Sequence, residues 1–130
     1  MFSSNKISGD IYTLGKETII DVTKEVSYEC EIGKIIVPVG FVSDGLSIPK
    51  LFWSIVGDPW DYLGAGVVHD YACREGQRLR DLGIKYIYTW QEVHEIFRLA
   101  LVDLGCNKSK AQLFKNAVYS RWLVDKSVRW

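Results

Sequence analysis

The sequence predicts an α+β fold: an N-terminal antiparallel β-hairpin or small sheet packed against about three C-terminal α-helices. Three observations carry that expectation. Apolar residues recur with a period of two up to Phe41 and with a period near 3.6 in the later part of the chain. The strongest helix punctuation, an Asp-Pro start, a capping box and terminal glycines, is confined to that later part. Strands come first and helices after, which gives segregated layers rather than a parallel sheet.

The first strand is read from Ile20, Val22, Val26, Tyr28 and Cys30 alternating with Asp21, Thr23, Glu25, Ser27 and Glu29. That is the pattern of a half-buried strand over Ile20–Cys30, with Lys24 the only charge on its inward side. Glu31-Ile32-Gly33-Lys34 is a turn, and Ile35, Val37, Val39 and Phe41 resume the alternation to complete a hairpin. Pro38 has no N–H, which places this second strand at an edge or gives it a bulge. A shorter strand at Ile11–Leu14, turning at Gly15-Lys16, extends the sheet.

Ser43 to Pro49 is a loop by composition, and a short helix over Lys50–Val56 is expected after it. Asp58-Pro59-Trp60-Asp61 opens a helix, with Asp as N-cap and Pro in the first turn. It is expected to run to Glu75 and to stop at Gly76. Residues 77–88 read either as a strand at Ile84–Tyr88 or as an ordered loop. Thr89-Trp90-Gln91-Glu92 is a capping box. The helix it opens buries Val93, Ile96, Phe97, Ala100, Leu101 and Leu104 and ends at Gly105. A last helix starts near Asn107 or Ser109, with Ala111, Phe114, Ala117, Val118 and Trp122 on one side.

A length of 130 residues makes one domain: 1–42 mainly β, 43–57 the motif loop and short helix, and 58–130 helical. Hydrophobic residues at 48% and charged residues at 25% are the mixture of a folded globule and exclude a disordered spacer. Net charge is zero, which argues against a non-specific nucleic-acid coat. Residues 1–105 carry 10 basic and 15 acidic groups and residues 106–130 carry six and one, a balance of −5 followed by +5. The basic C-terminal segment reads either as a solvated helix face or as a docking surface for an acidic partner. Lys108, Lys110 and Lys115, with Trp122 and Trp130, would form that surface. Cys30, Cys73 and Cys106 are odd in number and widely spaced, so buried thiols rather than disulfides are expected. No stretch approaches the roughly 20 apolar residues of a membrane span. Met1 to Lys6 has no apolar run of signal-peptide type. The expectation is synthesis in a cytoplasm, with export, if any, left to another protein.

The chemistry concentrates in two places. His69-Asp70 lies mid-helix, where neighbouring side chains point about 100° apart and flank one edge. His69 is a candidate base, and Asp70 can hold a metal or a water. The structural alternatives are a core histidine and an Asp70–Arg74 ion pair four residues apart. His94, on the next helix, reaches the same place if the two helices pack antiparallel, and otherwise sits at the surface beside Glu95 and Arg98. His69, Asp70 and His94 with a water would suit a divalent metal such as zinc, with calcium the alternative. The second place is the loop, where Asp44 can fix a turn or complete a metal shell. Ser47 can donate a hydrogen bond to the site or cap the next helix. A buried His69 beside Asp44 and Asp70 is expected to have a raised pKa.

Val37-Pro38-Val39-Gly40-Phe41-Val42-Ser43-Asp44-Gly45-Leu46-Ser47-Ile48-Pro49, followed by His69-Asp70-Tyr71, resembles the family of bacteriophage and prophage proteins known as domain of unknown function 1353. The resemblance covers roughly residues 10–120. Ser43 stands where the family pattern has Thr, Cys73 where an aromatic residue is common, and Val93-His94 where Ala-Asp is usual. The resemblance implies a phage origin and brings no activity with it. Three functions are expected from it and from the residues together. One is a small hydrolase, metal-dependent or not, with Asp44, Ser47, His69 and Asp70 at its site. Another is a non-catalytic tail or neck component, made in the host cytoplasm and assembled into the virion, that docks to other phage proteins. The third is an intracellular phage factor that binds a host protein through the basic C-terminal segment.

Overall fold

The structure is a computed structural model that describes Phe2 and residues 9–14, 17–43 and 62–124, with side chains described for Phe2, 20–43 and 62–118. Asp44, Ser47, the expected helix Lys50–Val56, the Asp58-Pro59 start and residues 125–130 lie outside the described residues, and the Trp122 side chain is likewise not described. The described residues form strands β1 (Gly9–Leu14), β2 (Glu17–Val22), β3 (Val26–Glu29), β4 (Lys34–Val37) and β5 (Val42–Ser43). Helices α1 (Leu63–Asp81), α2 (Trp90–Asp103) and α3 (Lys108–Val124) follow. This is the α+β arrangement expected, with every strand pair antiparallel.

The two long strands expected each break once, and the result is two small sheets, β1-β2-β5 and β3-β4. Ile20–Cys30 bends at Lys24. Continuing the strand would have turned that ammonium group inward, and the bend leaves it exposed instead. The second strand stops at Val37, before Pro38, whose missing N–H cannot serve a ladder. The chain then crosses to the other sheet. Val22 N–H donates to Phe41 O at 2.9 Å and Gly40 N–H to Val22 O at 2.8 Å, and β5 pairs with β2 through Ile20↔Ser43 and Asp21↔Val42. The hairpin itself is as expected: Val26, Tyr28, Ile35 and Val37 are buried, while Glu29, Lys34 and Ile36 are exposed.

Helix α1 is central. It packs on β3, β4 and β5 and against α2, and α2 packs on α3. Its first six residues, Leu63–Val68, are all buried, Gly64-Ala65-Gly66 among them. Gly76 does not end the helix. It is buried within α1, and the helix runs on to Asp81. The stop is Gly83, whose φ of +73° permits a Schellman ending: Gly83 N–H donates to Arg80 O at 2.9 Å and Ile84 N–H to Leu79 O at 2.8 Å.

Residues 84–88 form no strand. The loop is pinned by Tyr88, whose hydroxyl accepts from Lys34 N–H at 2.8 Å and donates to Lys34 O at 2.9 Å, closing the outer edge of β4. Gly33 lies directly under that ring. Helix α2 begins with the expected capping box, Glu92 N–H to Thr89 Oγ1 at 3.1 Å and Thr89 N–H to Glu92 Oε1 at 3.0 Å. Helix α3 begins at Lys108, with Asn107 Oδ1 accepting from Ser109 N–H at 2.8 Å. Among the described residues no helix is long and apolar enough to cross a membrane.

Candidate functional site

Helices α1 and α2 bring the chain's two histidines into contact. His69 Nε2 lies 2.9 Å from His94 Nδ1, a hydrogen bond in which one imidazole donates and the other accepts. His94 is not at the surface. It is fully buried on the same face as Val93, Ile96 and Phe97. Phe97 packs against the His69 ring at 4.7 Å between centroids, and Trp90 meets His94 edge to face at 6.0 Å. Cys73, one turn beyond His69, places its Sγ 3.5 Å from His69 Nε2.

This setting overturns the expectation of a raised His69 pKa. Burial lowers the His69 pKa well below the ordinary value, and repulsion from His94 lowers it further. Burial brings His94 to about 4, with Lys115 adding to the shift. Both rings are therefore neutral at pH 7. Burial also pushes the Cys73 thiol well above its ordinary pKa, with Asp70 contributing, so it stays protonated and is no thiolate nucleophile.

Asp70 faces the sheet. Its Oδ2 accepts from the Ser43 hydroxyl at 2.7 Å and its Oδ1 from Arg74 Nε at 3.1 Å. The Asp70–Arg74 ion pair that the spacing allowed is therefore present. Arg74 also donates from Nη1 to Val42 O at 3.3 Å and lies over the Phe41 ring at 5.7 Å. Phe41 in turn meets Tyr71 edge to face at 5.2 Å. Three consecutive residues, Phe41, Val42 and Ser43, are thus gripped by Tyr71, Arg74 and Asp70 of α1. Ser43 is fully buried, and it immediately precedes Asp44 in the chain.

Among the described residues no group of three or more His, Cys, Asp or Glu side chains is placed to hold a metal ion. The nitrogens of His69 and His94 that face each other are joined by a hydrogen bond, and Asp70 points to Ser43 and Arg74. In the basic segment, Lys115 donates to Glu95 Oε2 at 2.6 Å inside an ion-pair group with Arg98, which ties α3 to α2. Hydrogen bonds from Arg98, aided by Lys115, hold the Glu95 carboxyl down at about 2 against the cost of its burial.

Ser43 as a partner of Asp70 was not foreseen from the sequence. The signal available was a polar residue at an inward position of an apolar strand. Arg74 was foreseen as a partner of Asp70 but not as a ligand of the Val42 carbonyl.

Comparison with known proteins adds a family and no activity. The profile described as "Protein of unknown function (DUF1353)" matches residues 20–118. Two curated relatives come from Sinorhizobium fredii (strain NBRC 101917 / NGR234). Uncharacterized protein y4iH is 36% identical over 85 residues, covering 62% of this chain and 31% of that protein. Uncharacterized protein y4jT is 38% identical over 133 residues, covering 98% of this chain and 36% of that protein. The chain thus spans about a third of the length of these relatives. No solved structure matches it.

Proposed function

The chain belongs to the DUF1353 family, and from that premise we propose that it is a small bacteriophage-encoded hydrolase in which His69 is the general base and His94 its partner. The observation that supports this reading is the 2.9 Å contact between His69 Nε2 and His94 Nδ1 from two different helices. A base acting at neutral pH has to be unprotonated and held in one orientation. Burial supplies the first condition and the hydrogen bond to His94 supplies the second. In the tautomer assigned to this role, His69 Nε2–H donates to His94 Nδ1, which leaves the lone pair on His69 Nδ1. That nitrogen takes the proton of a water as the water oxygen bonds to the electrophilic centre. The same proton goes to the leaving group as its bond breaks. His94 stabilises the transient imidazolium by accepting a stronger hydrogen bond.

Asp44 and Ser47, from the loop that follows Ser43, would orient the water and donate to the developing negative charge. The substrate class is an ester, amide or phosphoester of the host envelope. No step is routed through a metal. The test is turnover of purified envelope fractions and chromogenic esters and phosphoesters, with and without added zinc, calcium or manganese. Turnover without metal, retained from pH 8 down to pH 6 and lost in His69→Gln, is the expected result. Turnover that appears only with metal contradicts the mechanism, and turnover unchanged in His69→Gln removes His69 as the base.

A second reading, a non-catalytic tail or neck component, is favoured by a different observation. Leu82, Ile84 and Ile87 are 61%, 53% and 79% exposed on a loop fixed at both ends by the Schellman turn and by Tyr88. Such a rigid aliphatic loop suits docking to another phage protein. Absence of turnover on every substrate, together with co-purification of the chain with virions, would favour it over the hydrolase.

A further inference from the structure

We propose that the loop joining α1 to α2 is a peripheral membrane anchor: Leu82, Ile84 and Ile87 enter the surface of a bilayer, and Arg78, Arg80 and Lys85 hold anionic headgroups around them. The inference builds on the hydrolase reading only in bringing the histidine pair to an envelope. The lipid contact itself needs no turnover. The loop presents its apolar side chains to solvent. Residues 81–85 are exposed in one run, and Ile87 is the most exposed of the large hydrophobic residues described. The backbone that carries them is fixed at one end by the Schellman turn on Gly83 and at the other by the two hydrogen bonds between Tyr88 and Lys34. A loop held in this way loses little conformational freedom when it binds.

Charge points to the kind of partner. Residues 78–89 carry three basic groups and one acidic group, a balance of +2, inside a stretch, residues 1–105, whose balance is −5. Arg78, Arg80 and Lys85 are all exposed. Arg78 pairs with Glu75 and Arg80 with Asp81, surface pairs weak enough for headgroup phosphates to replace. Tyr86 and Trp90, both half-buried, flank Ile87, and amphipathic rings of this type settle at the headgroup level of a bilayer. Affinity for such a surface scales with apolar area and with attraction to anionic lipid, and the loop offers both. Docking to a protein is the poorer match. A specific protein interface takes about 20–30 residues a side, whereas this loop offers three aliphatic side chains, and lipid requires no complementary shape. Because the loop joins the helices that carry His69 and His94, anchoring it holds the pair near the surface. The run along α1 from Asp81 to His69 is roughly 18 Å at 1.5 Å per residue.

Co-sedimentation of the full chain with vesicles tests the anchor without any enzyme substrate. The probes are vesicles of phosphatidylglycerol with phosphatidylethanolamine, and vesicles of phosphatidylcholine alone. The wild type should sediment with the first and about fivefold less with the second. The double variant Ile84→Ser/Ile87→Ser should weaken binding to the anionic vesicles about tenfold, and Lys85→Glu about fivefold. Both should melt as the wild type does, because the altered side chains are exposed. Lys108→Glu/Lys110→Glu, which reverses exposed charges on α3, should bind as the wild type does. Failure of the wild type to sediment with the anionic vesicles overturns the anchor and leaves the loop to a protein partner. Binding that survives in Ile84→Ser/Ile87→Ser, or that is lost in Lys108→Glu/Lys110→Glu instead, also overturns it, since the basic C-terminal segment would then be the lipid contact. Vesicle binding without turnover of any substrate supports the anchor and counts against the hydrolase, and turnover without vesicle binding does the reverse.

Discussion

Mild acid should weaken this protein through its two histidines. In the folded chain His94 titrates at about 4, against an ordinary value of 6.5. A base with a lowered folded pKa is protonated more readily in the unfolded chain. Its contribution is therefore complete above the unfolded pKa and is lost as pH falls toward the folded one. The full loss corresponds to about 3 kcal/mol for a shift of this size, and about 2 kcal/mol of it falls between pH 7 and pH 5. His69, lowered in the same direction, adds to it. Glu95 contributes little in that window, because its stabilisation is lost as pH falls from its ordinary value of 4.5 to its folded value of about 2, below pH 5. The assay is urea unfolding at pH 7 and pH 5, followed by tryptophan fluorescence. The wild type should lose at least about 2 kcal/mol on acidification, and His94→Gln should lose clearly less. Equal stability of the wild type at the two pH values would refute the reasoning, since a buried neutral imidazole pair must resist protonation.

Three further outcomes follow from the packing. Lys115→Glu should lower stability by about 1 kcal/mol, by setting a like charge against Glu95, whereas Lys108→Glu and Lys110→Glu should leave the melting temperature nearly unchanged; thermal melts of the three distinguish them. Gly33→Ala should destabilise more than Tyr88→Phe. The first drives a methyl group into the Tyr88 ring, while the second removes two hydrogen bonds at an edge that water can reach, about 1 kcal/mol, and paired unfolding curves measure both. Tyr28→Phe should cost about 1 kcal/mol by removing the hydroxyl that donates to Asp103 Oδ2, a bond 2.6 Å long that ties β3 to the end of α2, and it should leave α3 unaffected in hydrogen exchange.

What was legible in the sequence was mostly local. The capping box at Thr89–Glu92 and the face Val93, Ile96, Phe97, Ala100 and Leu101 are written within two or three turns of chain, and α2 forms as they imply. The hairpin alternation is equally local. The errors came where a local signal had two physical meanings. Gly76 reads as a stop, yet it lies buried inside a helix that continues to Asp81. Lys24 was visible as a charge on an inward face, but that a strand would bend to expose it depends on how the rest of the sheet closes. The site divides in the same way. Asp70 and Arg74 lie one turn apart and could be paired on spacing alone. The contact between His69 and His94 depends on the register of α1 against α2, which no single segment encodes. Ser43 meets Asp70 only because β5 returns to β2 after the break at Pro38.

The most direct test of the hydrolase account is a nitrogen-detected nuclear magnetic resonance titration of the two imidazoles in the intact chain. The account predicts that both rings are neutral at pH 7, that one nitrogen of each carries a proton, and that neither ring gains a second proton until the pH is well below 6.5. It also predicts a coupling across the shared N–H···N bond, which His94→Gln abolishes. An imidazole that titrates at or above 6.5, or two rings that titrate independently with no shared hydrogen bond, would contradict the histidine pair as a poised base.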